Sequence, residues 1–138
     1  MGVVLDSTVW IGAERRRFTV LQTLERVRLV VGDELAVIAA MTAAELVHGV
    51  WRAKPPQMRA RREEFVEEIF ARIPVQPLSL RVARIVGRID ARSRASGSVI
   101  PTVDLTIGAT ALDLGFAVAT ANVRHYNLIP GLRVVMVA

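Results

Sequence analysis

The chain has no cysteine, which excludes disulfides, thiolate nucleophiles and sulfur-ligated zinc. Histidine is almost missing: His48 and His125 are the only two, too few for an imidazole metal cage. Any metal site must therefore be built from oxygen, which points to Mg²⁺ or Mn²⁺. Lysine is nearly absent as well, with Lys54 alone among 18 basic residues set against 13 acidic ones, for a net charge of +5. Arginine keeps its charge and presents a planar donor fork that matches phosphate. Nucleic acid or an acidic protein segment is thus the natural partner. Aromatics make up only 5% of the residues, and Trp10 and Trp51 both sit at helical spacings that suit a core, so base stacking has little to work with. No uncharged apolar run approaches the roughly 20 residues of a membrane span, and the N-terminus lacks a signal-peptide layout. The expectation is a cytoplasmic chain without a membrane segment, folding as a single domain over residues 1–138.

What is present alternates between strand and helix signals, the pattern of parallel βαβ units. Val3, Val4 and Leu5 form an aliphatic run with no polar alternation, which suits a strand buried on both faces in mid-sheet. A short helix is expected over Ser7 to Gly12, an amphipathic one over Phe18 to Val31, and a second buried strand over Leu35 to Ala40. Thr42 to Trp51 and Gln57 to Arg72 follow as helices, the second with Glu63, Glu64, Glu67 and Glu68 facing water and paired with Arg59, Arg61 and Arg62. Val75, between Pro74 and Pro77, allows only a very short edge strand. Helices over Ser79 to Ser96 and Thr102 to Leu114, a strand over Phe116 to Ala119, a single turn over Asn122 to Tyr126 and a last strand over Leu132 to Val137 complete the chain.

Four residues stand out against this frame. Asp6 closes the first strand, where open α/β sheets hold their ligands, although an N-cap would also be aspartate. Glu45 lies three residues after Thr42, a capping-box spacing, and Asp104 lies in a first helical turn, where a carboxylate meets the helix dipole favourably. Asn122 has the character of an ordinary N-cap. Each has a structural explanation by itself. Together they follow strands, or open helices, that right-handed crossovers bring to one edge. Three carboxylates gathered there would repel one another and raise their own pKa values unless a cation neutralised them, so an all-oxygen divalent site is expected.

The pieces VVLDSTVW at the start, TAAEL at Thr42 to Leu46, IPTVDLTIGATALDLG at Ile100 to Gly115 and ATANVRHYNLIPGL at Ala119 to Leu132 resemble a PIN-domain ribonuclease of the VapC toxin type, in the same order and over nearly the whole chain. The resemblance implies a three-layer α/β/α sandwich with a central parallel sheet, an acidic pocket for Mg²⁺ or Mn²⁺ and cleavage of RNA. It also implies a homodimer and a cognate VapB-type antitoxin. The family's acids fall on Asp6, Glu45 and Asp104, with Asn122 at a fourth place where the family often has aspartate. His125 falls where relatives carry an acid or histidine, but a surface residue is the plainer reading for it and for His48. Asp113, nine residues after Asp104, should face away from the site.

The chemistry expected is metal-assisted phosphodiester hydrolysis, with Asp6 and Asp104 on the ion and Glu45 orienting or deprotonating the water. Ser7, Thr8 and Thr120 would donate to phosphate, and Arg81, Arg84, Arg88 and Arg92, on one stripe of a long helix, would bind the RNA backbone. Two other classes compete. A phosphatase or receiver-like phosphoryl-transfer domain needs a second aspartate two residues on, where this chain has Thr8, and a lysine near the later strands. A non-catalytic protein-binding module would use the acids only as caps and would bind no Mn²⁺.

Overall fold

The computed structural model describes residues 1–137. Its elements run β1 (Gly2–Leu5), α1 (Ser7–Arg15), α2 (Val20–Val31), β2 (Leu35–Ala39), α3 (Ala40–Arg52), α4 (Pro56–Arg72), β3 (Val75–Gln76), α5 (Leu80–Ala95), α6 (Thr102–Leu114), β4 (Ala117–Thr120) and β5 (Val134–Met136), with a 3₁₀ turn at Tyr126–Leu128. The strands form one parallel sheet in the order β3-β2-β1-β4-β5.

Side chains on a strand alternate between faces, and this sheet builds a core on each. Val3, Leu5, Ile38, Ala117 and Ala119 pack with Trp10, Val20, Leu46, Val50, Val66 and Ile69 on one side. Val4, Val37, Ala39 and Val118 pack with Ile89, Ile100, Leu105 and Ile107 on the other. Helices α1 to α4 therefore cover one face, and α5 and α6 the other, giving the expected α/β/α sandwich. From β1 the chain first fills the sheet towards β2 and β3, then crosses to β4 on the opposite side. The gap between the carboxyl ends of β1 and β4 is thus the switch point at which such sheets bind ligands.

Several boundaries differ from the sequence reading. α1 runs on to Arg15, and α2 starts at Val20 because Thr19 and Gln22 form a reciprocal capping box, at 3.0 and 2.9 Å. α3 begins at Ala40, directly after β2, with no side-chain cap. Thr42 is fully buried inside the helix, so the Thr42–Glu45 capping box does not form, and Glu45 stands in the second turn, free for another role. The turn expected at Asn122 to Tyr126 forms instead at Tyr126–Leu128.

The expected pairing of the α4 glutamates is also replaced. Arg62 bonds Glu14 of α1 at 2.9 Å and the Gly49 carbonyl of α3 at 3.0 Å, while Glu68 pairs with Arg72. Trp10 is fully buried, edge-on to Phe65, but Trp51 is exposed, with the Arg59 guanidinium 5.3 Å from its ring centre. Among the described residues no helix is long and apolar enough to cross a membrane.

Candidate active site

Asp6 is fixed by the sheet itself. Its backbone N–H donates to the Ala119 carbonyl at 2.9 Å, extending the β1–β4 ladder one residue beyond the strand. The carboxylate is 4% exposed, a burial that costs several kcal/mol for an unpaired charge, and donors satisfy it. Thr8 and Thr120 both donate to Oδ2 at 2.8 Å, and the Tyr126 phenol donates to Oδ1 at 2.9 Å. These are charge-assisted bonds, the stronger kind.

Asp104 occupies the third position of α6, where the helix dipole favours an anion. Its Oδ2 lies 2.7 Å from Nδ1 of His125. Glu45 completes the group from α3. Burial is the main cause that raises its carboxyl pKa; the Ser7 hydroxyl draws it partly back, and the charges of Asp6 and Asp104 push it up further. The same three carboxylates all act on the Tyr126 hydroxyl, whose pKa burial raises far above the ordinary tyrosine range. Acids 98 residues apart in sequence, from Asp6 to Asp104, therefore feel one another at a single rim of the sheet.

The residues expected to donate to phosphate take other partners. Ser7, Thr8 and Thr120 turn inward: Ser7 is buried against Glu45, and the two threonines spend their hydroxyl protons on Asp6 rather than on a phosphate. Thr8 Oγ1 also accepts from the Ala121 N–H and Thr120 Oγ1 from the Asn122 N–H, both at 3.0 Å, so they lock the turn after β4 to the site. The Asn122 side chain is exposed and caps its own turn, accepting weakly from the Arg124 N–H at 3.4 Å; His125, not Asn122, joins the acids from this turn. That corrects the surface reading of His125, while His48 is exposed as expected.

Arg81 is the clearest departure on the basic stripe. Its Nε bonds Asp113 Oδ1 at 2.8 Å, and Asp113 lies about 13 Å along α6 from Asp104 at 1.5 Å per residue, so Arg81 ties α5 to the far end of α6. Arg84 is exposed, and Arg88 and Arg92 border a cavity of about 480 Å³ with Ile89, Ser98 and Leu128.

Among the described residues no group of three or more His, Cys, Asp or Glu side chains is arranged to hold a metal ion as it stands. The donor chemistry is nonetheless that of a hard-cation site. It consists of carboxylate oxygens, and Glu45 Oε1 is buried with no hydrogen-bond partner. Beside Glu45 opens a groove of about 560 Å³ between α1, α3 and α4, floored by Trp10, Leu46, Phe65 and Val66 and bordered by Arg15 and Arg52.

Tyr126 is the functional residue that sequence reasoning missed. Its position in an RHYNL segment looks like core packing, and only the phenol O–H, a polar tip on an apolar body, hints at more.

A parallel five-stranded sheet between two helical layers, with acids at its switch point, defines an α/β/α sandwich with a polar site at the sheet edge, and the PIN-domain family model matches residues 3–128. The chain belongs to the PIN-domain family. It is 26% identical to Ribonuclease VapC1 of Rickettsia felis over 138 residues, covering 100% of this chain and 98% of that protein. It is 29% identical to the tRNA(fMet)-specific endonuclease VapC of Salmonella typhimurium over 97 residues, covering 70% of this chain and 71% of the relative. In fold it is similar to a chain in the crystal structure of VapBC2 from Rickettsia felis bound to a promoter DNA fragment, with a TM-score of 0.85 at 18% identity, covering 99% and 98% of the two chains.

Proposed function

We propose that residues 1–138 act as one PIN domain, a divalent-cation-dependent endoribonuclease toxin held in check by a cognate VapB-type antitoxin. The observation that carries this reading is the coupling of Asp6, Glu45 and Asp104 at the switch point, in a chain related to VapC ribonucleases. A Mg²⁺ or Mn²⁺ ion held by Asp6 and Asp104, with Glu45 beside it, would lower the pKa of a bound water and neutralise charge growing on the phosphate.

The chain's own residues supply the rest. Thr8, Thr120 and Tyr126 hold Asp6 in one orientation, and His125 holds Asp104. Glu45, with its raised pKa, takes the proton from the attacking water; a carboxylate shifted towards neutrality is a better base than an ordinary one. The exposed arginines Arg84, Arg88 and Arg92 bind RNA phosphates, with tRNA as the substrate class favoured by the Salmonella relative.

The apolar groove beside Glu45, rimmed by Arg15 and Arg52, suits an antitoxin segment carrying both apolar and acidic side chains, which would cover the acids. Exposed Val75, Leu78 and Leu80 at one sheet edge offer apolar surface to a homodimer. The enzyme works in the cytoplasm, where its RNA is. Incubation with total RNA and Mn²⁺ tests the reading: the native protein cuts, while the Asp104→Asn variant and the chelator-treated protein do not. Equal cutting by the variant overturns it.

A further inference from the structure

Tyr126 is the chain's single tyrosine, and it is 2% exposed. Its O–H reaches Asp6 Oδ1 at 2.9 Å while Thr8 and Thr120 occupy Oδ2. An ionised carboxylate has about four acceptor positions. Three are taken, and the one left is on Oδ1. On Asp104, Oδ2 faces His125, which leaves Oδ1; on Glu45, Oε1 is buried and unpartnered. What the three acids still offer a cation is therefore one lone-pair direction from Asp6, one oxygen from Asp104 and one from Glu45. Asp6 is thus the most restricted of the three acids, and an ion whose remaining positions are water, as Mg²⁺ prefers, would meet it through one direction only.

Resting on the divalent-cation reading above, we propose that Tyr126 is a positioning residue that makes Asp6 a one-point ligand of the divalent ion and keeps it from chelating or bridging. The hydroxyl suits this task because the buried ring holds it in place, with its O–H aimed at Asp6 Oδ1 at 2.9 Å as a fixed donor. By drawing electron density from Oδ1, it also weakens that oxygen as a ligand. Phenylalanine would fill nearly the same volume beside Ile129 and Leu105 in this core, yet return the second Oδ1 lone pair. Asp6 would remain oriented by the two threonines and could then chelate or bridge.

Mn²⁺ binding followed by the electron-spin-resonance signal of free ion separates the outcomes. The native protein should bind one Mn²⁺ per chain. Tyr126→Phe should bind it at least fivefold tighter, or bind a second ion, while its ion-free form unfolds at a lower temperature. A lower unfolding temperature with unchanged affinity and stoichiometry would make Tyr126 a packing residue and overturn the proposal, as would weaker binding. A second measurement needs no variant: the single tyrosine gives one ring Cζ resonance, which should move on addition of Mg²⁺ and saturate at one equivalent. A resonance that stays still while Mg²⁺ binds overturns the proposal. If the native protein binds no Mn²⁺ at all, the divalent-cation reading itself fails, and this inference with it.

Discussion

Nδ1 of His125 stands 2.7 Å from Oδ2 of Asp104, joining the turn after β4 to the first turn of α6. The pair fixes which Asp104 oxygen remains free. Groups that orient a ligating carboxylate typically matter 10–100-fold to affinity or rate. His125→Ala should lower RNA cleavage by roughly that factor. His125→Asn, which keeps a donor near the same place, should recover part of the loss. Because the imidazole is partly exposed, the unfolding temperature should hardly move. Full activity in the alanine variant would remove His125 from the site.

Glu45 makes stability depend on pH in a definite direction. Its pKa is raised in the folded chain, so the folded state keeps a proton that the unfolded state releases. Stability is then fully present below the unfolded value of 4.5 and is lost as pH rises through the folded value. Glu45→Gln cannot titrate. The unfolding midpoint of the variant should therefore rise relative to the native protein as pH goes from 4 to 7, while cleavage is lost. A difference that stays constant over that range contradicts the electrostatic coupling.

The capping-box spacing of Thr42 and Glu45 shows how far local pattern reading reaches. It identified both residues and placed Glu45 on α3, but the helix starts two residues earlier because Ala39 leads straight from β2 into it. Asp6, Glu45 and Asp104 were legible, because each follows a strand or opens a helix at one edge, and sheet topology determines that edge. Tyr126 and the inward turn of Thr8 and Thr120 were not. Which side chain donates to which oxygen depends on the approach of β1 and β4, strands separated by over 100 residues. The Arg81–Asp113 pair is hidden for a related reason: helical periodicity gives the stripe on α5 but cannot reveal Asp113 across the interface with α6.

Thr120 is fully buried and donates to Asp6 while accepting from the Asn122 N–H. Thr120→Val keeps the shape, strands the Asn122 N–H and leaves Asp6 Oδ2 with Thr8 alone, so chemical denaturation should show a loss of about 1.5–3 kcal/mol. Thr120→Ser should restore most of it. A loss below ~0.5 kcal/mol would mean that the Asp6 hydrogen bonds contribute little net stability.

Two arginines on one helix should behave differently from a third. If Arg88 and Arg92 each hold a phosphate of single-stranded RNA, alanine at either position should lower the slope of log affinity against log salt by about 0.7. Arg81→Ala, which loses the Asp113 pair, should leave that slope unchanged. Equal changes at all three would mean only that net charge matters.

In the proposed reaction water, activated among Asp6, Glu45 and Asp104, attacks the phosphodiester, and the chemical ends of the cleaved RNA report that step. Attack by water, without the ribose 2′-hydroxyl, leaves 5′-phosphate and 3′-hydroxyl ends, and enzymatic end-typing of the products should find those. Products bearing 2′,3′-cyclic phosphate and 5′-hydroxyl ends would contradict it.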